Sequence, residues 1–464
     1  MKRRNFLRQS GLVSLGFLSL QAYVSACGQA RSSDSPAAAQ GLQFGYGPLL
    51  PDPDKILELP QGFSYQIISR QGTEMADGLL VPGRPDGMAA FVGEDGKVIV
   101  VRNHELSADE FENGPFGAKL ERLSRYERSS LYDYGRGKLP GQGGTTTFIY
   151  DPLRGTVELE YLSLAGTIRN CAGGLTPWNS WITCEETTVR ADGELEQDHG
   201  FTFEVPVSTS PKLAKPIPIK AMGRFNHEAV CVDPRTSIVY QTEDRSDGLI
   251  YRFIPNEARN LFAGGRLQVL AILGQKSFDT RNWASLSTEK MAIDEAYAIE
   301  WLDIDDILAP DDDLRLRGFE QGAARFARGE GMWFGDGELY FACTNGGDQE
   351  AGQIFRYVPS PYEGTEREAE QPGQLSIFVE PNNTDLVESC DNITVAANGD
   401  LILCEDKATP RIVGVTPKGE IYHLARNIGY QSEFTGATFT PDGKTLFVNI
   451  QHAGLTLAIT GPFS

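Results

Sequence analysis

One hairpin pattern recurs six times along this 464-residue chain, and no other feature limits its fold as strongly. In each copy a short apolar strand leads into a turn with Asp, Asn, Gly or Pro, and a second apolar strand ends in polar residues. The copies span residues 85–105, 170–186, 226–244, 329–345, 390–406 and 435–451. A spacing of roughly 70 residues leaves room in each unit for two more strands, and residues 251–253 and 355–357 fit such third strands.

Four antiparallel strands in each of six units predict an all-β fold, a six-bladed β-propeller. A pair of β-sandwiches is the alternative, but it does not require six similar units. We therefore expect one propeller domain over residues 41–464. The charged segment 302–326 is expected to be an insertion near its mouth that contains a short helix.

Polar residues stand at equivalent positions of the hairpins. In a propeller blade the first strand lines the central channel and the second returns beside it, so the start of one and the end of the other meet on one face. Aligning the hairpins on their apolar cores places at the entry of the first strand Asp86, Cys171, Glu228, Glu330, Asn392 and Gly436. The exit of the second strand carries Asn103, Glu186, Glu243, Thr344, Asp406 and Gln451, flanked by Glu105, Glu185, Asp244 and Glu405. We expect these side chains to face one axial mouth.

This mouth is predicted to be a metal site. Many carboxylates near one axis repel each other and are costly to desolvate, and bound cations remove that cost. The oxygens of Asp, Glu and Asn suit calcium. One thiolate among them, Cys171, indicates a transition metal such as iron. For each acid taken alone, a solvated turn is the alternative.

Arginine lies two residues before three of the entry positions, at Arg84, Arg169 and Arg328. The forked donors of arginine match the oxygens of a phosphate group. Each of these residues alone is explained by a surface ion pair. Next to a metal cluster they predict a substrate clamp, above all Arg328 in the segment 327–330.

The first 27 residues predict an export signal. Adjacent Arg3 and Arg4 precede an apolar run, residues 11–20, that is too short to remain as a membrane helix, which is typical of the twin-arginine route. Residues 24–27 form a lipoprotein-type cleavage box with Cys27 as the lipidated residue; an ordinary cleavage site and a soluble exported product is the alternative. Residues 28–40 are predicted to be a flexible tether. The product is expected in the bacterial periplasm or at the cell surface.

The net charge limits the kinds of partner, and the number of cysteines raises the question of disulfides. A formal charge of −21 argues against a nucleic-acid partner, because phosphate backbones need a basic surface. The six cysteines beyond Cys27 are able to pair in an oxidising compartment. A chain of this length has enough core to fold without disulfides, so their pairing stays open.

Several motifs resemble the PhoX-type alkaline phosphatases. They are RNCAGG (169–174), TPW (176–178), TCEE (183–186), GRFNHE (223–228), TED (242–244), RGEG (328–331) and CDN (390–392). The resemblance covers nearly the whole mature chain. It implies an exported six-bladed propeller that hydrolyses phosphomonoesters with a cluster of Fe(III) and Ca²⁺.

The resemblance also assigns roles to residues of this chain. Cys171 would ligate iron, and four acids would share iron and calcium, namely Glu186, Glu228, Glu330 and Asp391. Arg328 would hold the phosphate beside Glu330, and Arg169 is predicted to assist it. The aligned positions complete the predicted metal set with Glu243, Asn392, Glu405 and Asp406.

Two other functions fit the same pattern. One is a calcium-dependent, lactonase-like hydrolase, which would not need the thiol or Arg328. The other is a non-catalytic calcium-binding propeller, because the fold alone implies no chemistry. The partners expected for the leading hypothesis are phosphorylated small molecules, and the chain is expected to be a monomer.

Overall fold

β-Strands make up most of the regular structure of the computed structural model, which describes residues 45–293 and 295–463. The strands up to residue 272 are β1 (Leu49–Leu50), β2 (Leu57–Pro60), β3 (Ser64–Arg70), β4 (Pro85–Val92), β5 (Val98–His104), β6 (Gly143–Asp151), β7 (Thr156–Thr167), β8 (Asn170–Leu175), β9 (Ser180–Glu185), β10 (Thr202–Pro206), β11 (His227–Val232), β12 (Val239–Glu243), β13 (Ile250–Glu257) and β14 (Asn260–Ile272).

The rest of the described chain contains one α-helix, α1 (Leu314–Gln321), which lies within the segment where the sequence predicted it. The remaining strands are β15 (Tyr297–Asp303), β16 (Gly329–Phe334), β17 (Leu339–Cys343), β18 (Gln353–Val358), β19 (Gln374–Val379), β20 (Cys390–Val395), β21 (Leu401–Glu405), β22 (Arg411–Val415), β23 (Ile421–Asn427), β24 (Phe434–Phe439), β25 (Thr445–Ile450) and β26 (Leu455–Thr460).

The six predicted hairpins are all present, as β4–β5, β8–β9, β11–β12, β16–β17, β20–β21 and β24–β25. The predicted third strands are also present, within β13 and β18. Each hairpin lies at one end of an antiparallel sheet, and two of them, β11–β12 and β16–β17, form the two ends of the same sheet. The sheets among the described residues have the orders β4-β5-β6-β7, β8-β9-β10, β11-β12-β13-β14-β15-β19-β18-β17-β16, β20-β21-β22-β23-β2-β1 and β24-β25-β26-β3.

The first strands of the hairpins pack against one another in a closed ring. β4 contacts β8, β8 contacts β11, and the contacts continue through β16, β20 and β24 back to β4. The fold is therefore all-β with a propeller-like arrangement, as the sequence predicted. The nine-stranded sheet is a difference from the simplest expectation: β15 pairs with β19, through Tyr297 and Leu375, and joins two four-stranded groups.

The ring is closed by strands that are distant in sequence. β3 pairs antiparallel with β26, with Ser64 opposite Thr460 and Arg70 opposite Leu455. In the sheet that contains β20–β23, β2 pairs antiparallel with β23, with Leu57 opposite Asn427. Residues before the first hairpin therefore complete two of the sheets.

Apolar side chains between neighbouring sheets form the core. Between the sheets of β20–β23 and β24–β26, for example, Ile402 and Leu424 pack in one cluster with Val448 and Leu457. Burial of each such side chain stabilises the fold by about 1.5–3 kcal/mol. Both faces of most strands are buried in this way, which explains why the hairpins read as continuous apolar runs.

The predicted leader falls outside the described residues. This applies to the export signal over residues 1–27, to the lipidation site Cys27 and to the tether over residues 28–40. Within residues 45–293 and 295–463, none of the helices has the length and apolar character that a membrane span requires.

Gly331 marks how closely the inner strands approach each other. A Cβ atom at this position would lie 2.6 Å from the carbonyl oxygen of Asp391 and 2.6 Å from the amide nitrogen of Ile393, both in β20. Backbone atoms at such a distance move only if β16 and β20 separate. Glycine is therefore required here by space.

We predict that Gly331→Ala lowers the free energy of unfolding by about 1–3 kcal/mol, the usual cost of overpacking. Gly335→Ala is the matched control, because the nearest atom to its added Cβ lies 3.8 Å away. Denaturant unfolding of both variants measures the difference. Equal stability of the two variants would contradict the close approach of β16 and β20.

Candidate metal centre

Each of the six inner strands has a β-bulge at the same place. The register shifts lie between Pro85 and Met88 and at the corresponding positions of the other strands. A bulge re-aims the side chains that it carries. The first residues of the six bulges are Asp86, Cys171, Glu228, Glu330, Asp391 and Gly436. The sequence alignment had placed Asn392 at this position, but the structure places Asp391 there, with Asn392 as the second bulge residue.

A repeated backbone hydrogen bond fixes the strand exits opposite these bulges. The amide of each exit residue donates to the carbonyl of a residue that precedes the bulge, by two positions in five of the units and by three in the sixth. The pairs are Glu105 with Arg84, Glu186 with Arg169, Asp244 with Asn226, Thr344 with Arg328, Asp406 with Ser389 and Gln451 with Glu433. Glu105 and Asp244 therefore take the exit positions that the sequence alignment had given to Asn103 and Glu243.

Three overlapping groups of acids and a thiol come together at the bulges. In each group the ligand atoms lie within 4.8 Å of one another. The groups are Asp86–Glu105–Cys171, Cys171–Glu186–Glu228 and Glu228–Glu330–Asp391. Cys171 and Glu228 each belong to two groups, so the three form one continuous cluster. It contains five of the residues predicted as metal ligands.

The cluster contains buried oxygens without a protein partner. Both carboxylate oxygens of Glu228 and Oδ1 of Asp86 are buried and make no hydrogen bond within the described residues. Glu228 is 0% exposed and Asp86 is 1% exposed. A buried charge without a partner is costly, whereas a cation satisfies several such oxygens at once. The donor set and its unpaired atoms therefore fit bound metal ions.

Burial and mutual repulsion raise the pKa of these acids. Burial raises the pKa of Glu228 well above its ordinary value, and Glu330 raises it further. The pKa values of Asp86, Glu330 and Asp391 are raised in the same way. Burial raises the pKa of Glu186 to about 8, although Arg169 opposes the shift. Burial, with Asp86 as the main neighbour, also raises the pKa of the Cys171 thiol.

Cys171 differs from the other cysteines of the described residues. All six are free thiols, so the structure contains no disulfide among Cys171, Cys184, Cys231, Cys343, Cys390 and Cys404. Cys171 alone of the six is partly exposed and alone of them belongs to the cluster. The others are buried and behave as small apolar side chains.

Two arginines hold the cluster from the rim. Arg169 contacts Glu105 at 2.6 Å and also pairs with Glu186. Arg328 donates through Nε and Nη2 to both oxygens of Asp244, at 2.8 and 3.0 Å, and through Nη2 to Glu330 at 2.8 Å. Within the described residues, Nη1 of both arginines makes no hydrogen bond, so each retains donors for a further anion.

The three arginines that precede entry positions share a backbone conformation that is uncommon for residues other than glycine. Arg84, Arg169 and Arg328 have φ angles of 42°, 50° and 51°, in the left-handed region that favours glycine. A non-glycine residue there costs of the order of 1–3 kcal/mol. Arg84, whose partner is Glu110 at 2.9 Å, lies outside the three groups. A large side chain at a strained position is typical of a functional site.

Glu243 and Glu405 do not join the cluster. Tyr251 donates a hydrogen bond of 2.8 Å to Glu243, and the Leu249 amide donates one of 3.2 Å. Glu405 accepts hydrogen bonds from Arg411 and from the Glu388 amide. Both acids are 0% exposed inside their sheets. Successive strand residues point to opposite sides, so the next residue of each chain segment faces the mouth instead.

Glu185 occupies the equivalent position in β9. Its carboxylate lies 2.6 Å from Nδ1 of His199, whose Nε2 lies 3.3 Å from Asp133. Burial alone would lower the pKa of His199, but Glu185 and Asp133 raise it to about 9. This ion-paired histidine fixes the strand end directly before Glu186.

Further polar residues border the cluster. Asn392 donates to Asp391 at 3.0 Å and accepts from the Gly436 amide. Gln451 donates to Asp86 at 2.7 Å and to Glu105 at 2.9 Å. Burial is the largest cause of the raised pKa of Glu433, and the negative charge of Asp406 is the second largest. Neither Asp406 nor Glu433 belongs to the three groups.

Some residues at the mouth were not in the metal set predicted from the sequence. Asp86 and Glu105 stood in the aligned columns but not in the predicted metal set, and the structure brings both next to Cys171. Glu433 was not singled out. It lies three residues before the sixth entry position, one residue farther out than Arg84, Arg169 and Arg328 in their units, so the aligned columns do not contain it.

Comparison with known proteins gives one family. The model of the family described as alkaline phosphatase PhoX matches residues 44–454. Among solved structures, PhoX of Pseudomonas fluorescens in complex with vanadate, a transition-state analogue, superposes with a TM-score of 0.62. It is 17% identical, and the match covers 88% of this chain and 96% of that chain. This likeness supports the fold.

Two lactonase structures resemble the chain more weakly. A putative gluconolactonase has a TM-score of 0.38 at 11% identity, over 88% of this chain and 94% of its own. A gluconolactonase from Xanthomonas campestris has a TM-score of 0.37 at 12% identity, over 91% of this chain and 99% of its own. None of the curated proteins matches the chain.

The raised pKa values predict how the metal-free protein responds to pH. In the unfolded chain a glutamate carboxyl group has its ordinary pKa of 4.5, whereas the pKa of Glu186 in the folded chain is about 8. Between these two pH values the folded chain therefore keeps protons that the unfolded chain has released. This contribution to stability is fully present below the ordinary pKa and is lost as the pH rises. We expect the unfolding free energy of the metal-free protein to fall between about pH 5 and pH 8, as measured by denaturant titration.

Two arms of this experiment are decisive. Calcium added at pH 8 should restore the lost stability, because cations neutralise the ionised acids. Glu228→Gln should reduce the loss between pH 5 and pH 8, since one titrating group is removed. A stability profile of the metal-free protein that is flat over this range would contradict the buried, repelling cluster.

Proposed function

This chain belongs to the PhoX family of alkaline phosphatases, and from that premise we propose that it is a metal-dependent enzyme that hydrolyses phosphomonoesters. The observation that carries the proposal is the continuous cluster of acids around Cys171 and Glu228. Its shared member Glu228 has two buried oxygens that no described protein group satisfies. Such a cluster beside two arginines suits a phosphoryl group held between cations and guanidinium donors.

We propose that the six hairpins belong to six blades and that their axial mouth holds Fe(III) and Ca²⁺. The two groups that contain Cys171 suit iron, because a thiolate favours transition metals. The third group offers only oxygens, from Glu228, Glu330 and Asp391, which is the donor type that calcium prefers. Asp86 and Glu105 join the proposed ligands.

The other predicted ligands divide into two kinds. Asn392, next to Asp391, and Asp406, next to Glu433, would supply further oxygens at the border of the cluster. Glu243 and Glu405 are not among the proposed ligands, because both lie outside the three groups, Glu243 held through Oε2 by Tyr251 and Glu405 held by Arg411. Their proposed role is to hold the strand ends from which Asp244 and Asp406 face the mouth.

When bound, the cations would polarise the phosphoryl oxygens and activate water for attack at phosphorus. The chain itself would orient the substrate. Asp244 and Glu330 hold the guanidinium of Arg328 in place, which leaves Nη1 to donate to a phosphoryl oxygen and to neutralise charge as it develops. Nη1 of Arg169, whose Nη2 pairs with Glu186, would donate a further hydrogen bond to the phosphoryl group.

A calcium-dependent lactonase is the second candidate. The position of Cys171 in two of the three groups, and the free donors of Arg328, favour the phosphatase. A site that polarises a carbonyl with calcium needs neither of them.

Export and assembly remain predictions from the sequence. We propose export by the twin-arginine route to the periplasm or cell surface, with Cys27 as a lipid anchor. We also propose that the enzyme is a monomer that acts on phosphorylated small molecules and not on nucleic acid.

The test of the function is release of phosphate from a chromogenic phosphomonoester, together with elemental analysis. We expect turnover that a chelator abolishes, and a preparation that contains both iron and calcium. Cys171→Ala should lose iron and turnover while it remains folded. Cys231→Ala, which removes a free thiol outside the cluster, is the control and should keep its iron. A Cys171→Ala protein with full iron content and activity would refute the proposed iron site.

Arg328→Lys tests the phosphate clamp. Lysine keeps the charge but loses the fork that Asp244 holds, so we expect turnover to fall at least about tenfold, or roughly 1.4 kcal/mol, with metal content unchanged. Arg84→Lys is the control at the equivalent strained position, since Arg84 pairs with Glu110 outside the cluster. Glu330→Gln should lower both metal content and turnover. If Arg328→Lys matches the parent, Arg328 is only a counter-charge.

A further inference from the structure

We propose that Arg245 selects phosphomonoesters whose alcohol carries a second anion, a carboxylate or another phosphate. The inference rests on the proposed phosphatase function and names the substrate class for the same site. It follows from an open cavity next to the metal centre, from the way Arg245 is mounted beside that cavity, and from the donors that it has to spare.

The cavity has a volume of about 390 Å³. Two of its lining residues, Arg169 and Glu186, also belong to the metal centre and its rim. The others are Thr187, Thr188, Val189, Asn226 and Arg245. At about 30 Å³ per water molecule, the space corresponds to roughly a dozen waters. A substrate whose phosphoryl group lies at the cluster therefore has room here for an alcohol of several carbon atoms.

Hydrogen bonds fix the backbone of Arg245 at the wall of this cavity. Its amide donates to the carbonyl of Glu243 at 3.0 Å. Its carbonyl accepts from the amides of Gly248, at 2.9 Å, and of Arg328, at 3.0 Å. The backbone of Arg245 is thus hydrogen-bonded directly to that of the phosphate-clamp residue. The geometry fixes the separation between the two guanidinium attachment points.

The donors of Arg245 are largely unused. Its side chain makes one ion pair, from Nη2 to Asp312 at 3.3 Å, and Asp312 is shared with Arg315, also at 3.3 Å. Within the described residues, Nε and Nη1 of Arg245 make no hydrogen bond. Arg169, in contrast, is held by Glu105 and Glu186. Of the two arginines in the cavity, Arg245 therefore has more donors available for a ligand.

The charge of the whole chain makes this local cation decisive. At a formal net charge of −21, the protein repels an additional negative charge at long range. A substrate with a second anion is then disfavoured unless a nearby cation receives it. Arg245, whose side chain is 32% exposed, is available for that contact.

The experiment compares substrates that differ mainly in one anionic group. 3-Phosphoglycerate against glycerol 3-phosphate tests a carboxylate, and fructose 1,6-bisphosphate against fructose 6-phosphate tests a phosphate. We expect the parent enzyme to have the higher kcat/KM for at least one of the doubly anionic substrates. Arg245→Gln should lower that preference at least tenfold, mainly through KM, and Arg245→Lys should restore part of it.

Arg266→Gln is the control variant, because Arg266 is 53% exposed and its partner, Asp303, lies outside the cavity. It should keep the preference of the parent. A preference that Arg245→Gln leaves intact, or an equal loss on both members of each substrate pair, overturns the role of Arg245 while the phosphatase stands. Absence of phosphate release by the parent from every substrate overturns the proposed function itself.

A binding measurement provides a readout that is independent of turnover. By calorimetry, 2-carboxyethylphosphonate should bind to the parent enzyme more tightly than propylphosphonate, which lacks the carboxylate. Arg245→Gln should remove the difference, and Arg266→Gln should preserve it. Equal binding of the two phosphonates by the parent would overturn the carboxylate form of the proposal.

Discussion

Repulsion among buried carboxylates is the constraint on which the rest of this structure depends. Acids from four of the six inner strands and from the neighbouring strand exits lie at one mouth, and burial raises the pKa of every clustered acid of the inner strands. Nothing in a propeller-like fold requires this arrangement, and a ring of apolar residues would be more stable. The bulges and the arginines on the rim hold these charges together, and the unpaired oxygens of Glu228 fit bound cations.

The geometry of the mouth is repetitive, whereas its chemistry is not. The same bulge and the same backbone hydrogen bond recur in all six units, which places six side chains at equivalent positions. One of these side chains is a thiol, one position is glycine, and four are acids. The residues whose carbonyls accept the exit hydrogen bonds are just as varied, and they include Arg328 and Glu433. Differences between equivalent positions therefore bring a thiol, carboxylates and guanidinium groups together at one mouth.

The sequence was sufficient to predict the hairpins, because each hairpin forms from residues that are close together along the chain. The six hairpins, the third strands at residues 251–253 and 355–357 and a short helix within residues 302–326 are present as predicted, and Cys171 lies with Glu186, Glu228 and Glu330 in the cluster. A bulge, however, changes the register by one residue and leaves no signal in a pattern of apolar residues. This is why Asn392 was aligned where Asp391 lies.

For a related reason, the sequence did not predict which of two neighbouring residues at a strand exit faces the mouth. Neighbouring acids such as Glu243 and Asp244 point to opposite sides, and only the partners of each reveal which one faces the mouth. Tyr251 and Arg411, which engage Glu243 and Glu405, are supplied by other strands, so a reading of the hairpin alone does not include them. The joining of β15 to β19 is likewise a pairing between distant segments.

The pairing of β3 with β26 has a consequence for biosynthesis. The two strands are separated by almost the entire described chain, and closing a loop of nearly 400 residues costs about 3 kcal/mol more entropy than closing one of ten. At 5–20 residues per second, a ribosome needs about 20–80 s to make the intervening polypeptide. During that interval β3 is a strand edge without its partner, and such edges invite aggregation. The growing chain is therefore exposed to this hazard until β26, which ends at Thr460, has been synthesised.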